Sequence, residues 1–152
     1  AGDSTGLLKV RAKPIQDAPT ASANGVAALA LLRLAALSGE ERYARRAEEL
    51  LRCFSAAASE LGLHAATWLR GADWVITGPC TVEIAPGPEG QDLAREALTV
   101  FRPRKVVIPR RLSPVPGIEP PVALVCAGSA CSMPQRDPLG LRRTLETFGR
   151  NG

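Results

Sequence analysis

SANGVAALALLRLAALSGEERY, residues 22–43, is the stretch on which the reading of the chain turns. Between Ser22 and Gly39 the only charge is Arg33. Ser22 or Asn24 can cap a helix start, because a short side-chain oxygen accepts from an unpaired N–H of the first turn. Gly39 stands where a helix ends, at the position that favours a left-handed residue. The stretch therefore predicts a helix that is apolar on nearly all sides. Such a helix has to be enclosed on nearly all sides.

The next segment has another pattern. Across Glu40–Leu61, Tyr43, Ala47, Leu50, Leu51, Phe54, Ala58 and Leu61 recur at three- and four-residue steps. Glu41, Arg45, Arg46, Glu48, Glu49 and Arg52 take the other side. This is an amphipathic helix, and the short Ser38-Gly39 link makes it the second arm of an antiparallel hairpin. A buried helix with an amphipathic one outside it is the unit from which α/α toroids are built. A third helical stretch, about Leu63 to Ile76, carries Trp68 and Trp74. Residues 1–21, with Pro14 and Pro19, read as an irregular approach segment, and residues 22–78 as the α/α part.

Periodicity changes after Gly78-Pro79. TVEIA alternates like a strand, PGPEG is a turn, and QDLAREALTVF is helical. KVVIP gives a second strand, RRLSPVPGIEPP a proline-rich connection, and VALVC a third strand. DPLGLRRTLETF is a closing helix with Asp137 at its cap and Pro138 at its first position. The strand–helix–strand spacing predicts a parallel βαβ unit. The expected fold class is α+β: a hairpin part of a toroid, then a small three-stranded α/β region over residues 79–152.

Composition bounds the function. The chain has 152 residues, 45% apolar and 22% charged, so it is globular and can bury a core. Net charge is +4, but ERYARRAEELLR interleaves acids with bases as a solvated helix face does. No basic cluster with exposed aromatics marks a nucleic-acid surface. No apolar run reaches the ~20 residues of a membrane span, and no secretory signal opens the chain. A cytoplasmic protein with reduced thiols is the expectation. The first residue is Ala, and AGDSTGLLKVRAKP starts as though within a longer polypeptide, whose N-terminal portion is then a partner.

Cys126 and Cys131 form C-x4-C in VALVCAGSACSMPQRDP. A thioredoxin-type pair wants C-x2-C, and tetrahedral zinc wants a second ligand pair that is missing. Loop thiols, a reversible disulfide and a metal site are the readings weighed. An extended run would separate the two Cα atoms by roughly 16 Å, whereas a bridge needs about 4.4–6.8 Å. AGSA is small enough to turn tightly, so a bridge is permitted but not required. Without a secretory signal, both are expected as thiols. Cys53, beside Phe54, reads as packing, and His64, the one histidine, as structural. APGPEGQDLAREAL puts a turn between strand and helix where phosphates bind, but lacks the G-x-G-x-x-G spacing. Arg110-Arg111 and Arg142-Arg143 read as solvated.

Four segments together resemble one family. They are RAKPIQDAPTASANGVAALALLRLAALSGEERY, TVEIAPG, FRPRKVVI and VCAGSACSMPQRDP, and the resemblance spans about Leu7 to Phe148. The chain is similar to the C-terminal part of the thioredoxin-domain-containing proteins related to the spermatogenesis-associated homologues. In that family a thioredoxin-like domain precedes an α/α toroid similar to six-hairpin glycosidases and N-acylglucosamine 2-epimerases, and a short α/β region ends the chain. Lys13, Asp17, Ser22 and Asn24 fall at the family's offsets, and the terminal C-x4-C followed by Pro134 matches as well. Ala18, Ala21 and Ala23 depart from its usual Gly, Pro and Gly.

The resemblance implies a sugar-like substrate bound or isomerised by the longer polypeptide, with no cofactor. Asp17, Ser22 and Asn24 precede the apolar helix where an epimerase-like pocket opens, and are the candidate substrate-binding residues. A carboxylate, a hydroxyl and an amide can bind sugar hydroxyls; the same groups can instead cap a helix and hold a turn. Two other classes are a non-catalytic interaction module and a thiol–disulfide protein centred on Cys126 and Cys131. No metal site and no membrane or nucleic-acid partner is expected.

Overall fold

The computed structural model describes residues 14–85, 87–109 and 123–149. Lys13, Pro86 and the whole proline-rich connection, Arg110-Arg111 included, lie outside the described residues, as does Val122 of the expected third strand. The architecture is α+β, with helices first and a small four-stranded sheet after them. Two units are distinguished: residues 14–35 with Glu40–Val75, and Ala36–Gly39 with the residues from Ile76 on.

The first unit is helical. Helix α1 is Ala23–Ser38, α2 is Glu41–Cys53 and α3 is Ser55–Leu61; a 3-10 turn, Gly62–Ala65, leads into α4, Ala66–Thr77. Residues 14–21 form no helix or strand. On α1 the buried line is Gly25, Ala28, Leu29 and Leu32, one stripe at three- and four-residue steps. Val26, Leu34 and Leu37 lie on the opposite side and are exposed. The helix is apolar all round, as its sequence predicts, yet only one side of it is covered. On α2, Ala47 and Leu51 are buried, and exposed ion pairs such as Arg45–Glu41 line the far side. Leu31 of α1 and Leu50 of α2 line one concavity with Arg46, Glu49 and Cys53. Arg33 of α1 stacks over the buried Trp74 of α4, 5.5 Å from the ring centre.

The helix expected over residues 40–61 is broken at Phe54, whose backbone leaves the helical region (φ −111°, ψ 6°). Two side chains take up carbonyls there. The Trp68 indole Nε1–H donates to the Leu51 carbonyl at 3.0 Å, and the Ser55 hydroxyl donates to that of Arg52 at 3.1 Å. A carbonyl held by a side chain is less available to the helical ladder, and Ser favours such local alternatives. Cys53 therefore ends α2 and is exposed, not packed as expected. The buried line of α2 runs through Ala47 and Leu51, and Cys53 lies two positions past it.

The second unit contains β1 (Cys80–Ile84), α5 (Pro88–Thr99), β2 (Lys105–Pro109), β3 (Ala123–Ala127), β4 (Ala130–Cys131) and α6 (Pro138–Thr147). The sheet order is β2-β1-β3-β4. Strands β1 and β2 are parallel, joined through α5 as the spacing predicts. Strand β3 is antiparallel to β1, and β4, not foreseen, pairs antiparallel with β3. Cys80, Val82, Ile84, Ala123 and Val125 share one sheet face and cluster with Leu93 and Ala97 of α5 and with Leu141 and Leu145 of α6. Helix α5 starts at Pro88, so PGPEG is not merely a turn: Pro88 sits at the first helical position, where its fixed φ suits the helix. Asp137 caps α6 as predicted, its Oδ1 accepting from Gly140 N–H at 2.8 Å. A cation serves each helix C-terminus. Lys105 Nζ donates to the Ala97 and Val100 carbonyls, and Arg102 donates to Leu145 at 3.0 Å.

Candidate functional site

Asp17, Ser22 and Asn24 come together at the start of α1, and all three are spent on backbone. Asp17 Oδ1 accepts from Ser22 N–H and Oδ2 from Thr67 N–H, both at 2.7 Å. Its own N–H donates to the His64 carbonyl at 2.7 Å. The carboxylate thus binds the first turns of α1 and α4 at once. These backbone N–H groups, Thr67 first and Ser22 second, hold its pKa below the ordinary value of 3.8. Helix N-termini suit an anion, which is why this loop carries an acid. Ser22 is buried and caps α1, its hydroxyl accepting from Gly25 N–H at 3.2 Å. The Asn24 side chain donates to the Pro14 carbonyl at 2.7 Å.

Gly25 lets the two helix starts approach. A methyl there would lie 2.7 Å from Ser22 Oγ and 2.9 Å from a Thr67 methyl. Thr67 and the His64 carbonyl were not foreseen as members of this cluster. The His64 carbonyl has no residue signature, and Thr67 engages Asp17 chiefly through its backbone N–H, with its side chain adding to it. His64 itself lies exposed on the 3-10 turn.

Cys126 and Cys131 are bonded to each other, which corrects the expectation of two thiols; their Cα atoms are 4.0 Å apart, slightly closer than the usual range for a bridge. Ala127 and Ala130 pair across a two-residue turn, Gly128-Ser129. Gly128 has φ +59°, the left-handed value that the first position of a tight hairpin turn takes and that glycine adopts freely. Ser132 N–H donates to the Val125 carbonyl at 2.7 Å, so the Val125–Ser132 pair is a hydrogen-bonded one. Its neighbour pair, Cys126–Cys131, is then non-hydrogen-bonded, where facing side chains come closest. The geometry brings the sulfurs together whatever the compartment. By strand alternation Cys126 points to the sheet face opposite α5 and α6.

The second unit also carries an open groove of about 470 Å³ at the C-terminal ends of β1 and β2. Ile84, Ala94, Leu98, Val107 and Pro109 line it together with Gly87, Pro88, Gly90 and Gln91 at the start of α5, and its lining is mostly apolar. The buried thiol of Cys80 is pushed to a higher pKa by desolvation, against the opposing fields of Arg102, Lys105 and Arg104. Among the described residues no group of three or more His, Cys, Asp or Glu could hold a metal ion. No described helix is long and apolar enough to cross a membrane. Comparison with protein-family models, with curated proteins and with solved structures finds no match to the chain.

Proposed function

We propose that the chain is the C-terminal part of a cytoplasmic, thioredoxin-domain-containing polypeptide with an epimerase- or glycosidase-like α/α toroid. Its helices would complete the toroid wall, and its α/β unit would form the closing appendage. The observation that carries this is α1, apolar on all sides but covered on one, with Val26, Leu34 and Leu37 exposed. An apolar helix face of this kind calls for a neighbour, and the N-terminal portion of the same polypeptide is the partner that the resemblance supplies. In the longer protein a sugar-like molecule would bind in the toroid, with no cofactor. Asp17, Ser22 and Asn24 would then shape the pocket rim through the backbone bonds they already make. By itself the chain would turn nothing over.

Hydrogen exchange along α1, compared between this chain and the product of the whole reading frame, tests the assembly. Slower exchange at Val26, Leu34 and Leu37 in the longer product is expected. Equal exchange in both would end the proposal. Calorimetric titration of the longer product with N-acylated and plain hexoses tests the substrate class separately, and no heat with any of them would remove the sugar.

The alternative of a non-catalytic interaction module draws on the apolar groove beside β2. Saturable binding of a hydrophobic probe to the chain, lost in Ala94→Glu, would favour it.

A further inference from the structure

We propose that Cys126–Cys131 is a thiol–disulfide exchange site, opened by a dithiol protein at Cys131 while the α/β unit keeps its fold. This goes beyond the architectural reading and stands or falls without it. Four observations converge. The first is access. Strand β4 is the end strand of the sheet, Cys131 is exposed and Cys126 half-buried. Gly128, Ser129 and Ala130 beside it are exposed and small, so an incoming active site meets little bulk. The second is the register, which does not depend on the bridge. Ser132 N–H donates to Val125 at 2.7 Å, and Ala123 and Gln135 exchange two bonds of 3.0 and 2.8 Å. Opening the S–S bond leaves these in place.

The third is the size of the ring. The cysteines are five positions apart, and a link this short restrains the unfolded chain far less than a long-range one does. As a staple it is poorly placed. The fourth is reversibility. Once reduced, the sulfurs stay opposite each other on a close, non-hydrogen-bonded pair, so re-oxidation is intramolecular.

The step balances as ordinary exchange. A thiolate of the dithiol protein attacks Cys131 Sγ along the S–S axis, forming a mixed disulfide and expelling Cys126 as thiolate, which takes a proton. The second thiol of the reductant, deprotonated, then displaces Cys131, which also leaves as thiolate and is protonated. Two electrons pass to the chain, and the reductant departs as its disulfide.

The test uses the chain with Cys53→Ser, which removes the exposed free thiol, and a C-x2-C dithiol protein as probe. Equimolar intact probe should reduce the bridge within minutes in native buffer, with the far-ultraviolet circular dichroism unchanged. The probe with its second cysteine replaced by Ser should be trapped as a mixed disulfide. Peptide mapping should place it on Cys131 at least tenfold over Cys126. Reduction only after denaturant, reduction that melts the sheet signal, or a trap absent or formed mainly on Cys126 would each overturn the proposal.

Discussion

At the residue scale the most consequential side chain is Asp17, a carboxylate holding two helix starts. Asp17→Asn replaces one acceptor oxygen with an NH2 group facing an N–H donor, so at least one bond is lost and a repulsion introduced. Hydrogen bonds to a charged group contribute about 1.5–3 kcal/mol, and a loss of that order at neutral pH is expected from denaturant midpoints. The pH dependence has a definite sign. Because the folded pKa lies below the ordinary 3.8, the stabilisation is present above the unfolded value and fades as pH falls through the folded one. Wild type should lose stability below about pH 4 more steeply than Asp17→Asn. Parallel acid limbs would show that the carboxylate is not engaged. That Asp17 and Ser22 matter was legible, because a cap and an acid before an apolar run have local signatures. Thr67 was not, since it lies 50 positions from Asp17 and contributes a backbone N–H. The thiols divide similarly. Cys53 should alkylate in the native chain, whereas Cys80, buried and pushed up, should react only on unfolding. Mass spectrometry of protein alkylated with and without denaturant reads both.

Elements were legible where periodicity is strong and obscure where a single distant side chain decides. The β1–α5–β2 crossover followed from spacing alone, and α6 from Asp137-Pro138. The break at Phe54 did not, because it draws on the indole of Trp68, 17 positions from Leu51. Trp68→Phe should therefore loosen the α2–α3 junction, raising amide exchange at Phe54 and Ser55 while leaving α5 and α6 unchanged. The close approach of the α1 and α4 starts gives a sharper expectation. Gly25→Ala would force a methyl to within 2.7 Å of the buried Ser22 oxygen. Overpacking of this kind costs about 1–3 kcal/mol, well above the slight gain in helix propensity. A thermal midpoint equal to or above wild type would show that the two helix starts can part. In the β3–β4 hairpin the C-x4-C spacing left a bridge open, and the non-hydrogen-bonded pairing of Cys126 with Cys131 was invisible before the turn at Gly128-Ser129 was known. Closing so short a loop contributes about 2 kcal/mol in the chain-entropy account. Cys126→Ser should lower stability by no more than about that amount.

For the whole molecule, the decisive quantity is the apolar surface of α1. Val26, Leu34 and Leu37 are 48%, 45% and 45% exposed, and they recur with Ala30 at four- and three-residue steps along one side. Scattered apolar side chains on a surface mean little, whereas a continuous stripe on one helix marks a face that another surface covers. The purified chain should therefore bind a hydrophobic dye and self-associate as concentration rises. The paired substitution Val26→Lys with Leu34→Glu separates this from general instability. Both positions face solvent, so the changes should leave the helical signal and the melting midpoint of this chain nearly unaltered. They should abolish dye binding and self-association. If the proposed longer polypeptide covers this face, the same pair should strongly destabilise it, because two charges would then be buried without partners. Sedimentation and dye fluorescence on the chain, with thermal melts of both products, distinguish the possibilities. A monodisperse, dye-silent wild-type chain, or a longer product indifferent to the pair, would mean that this face is meant for water.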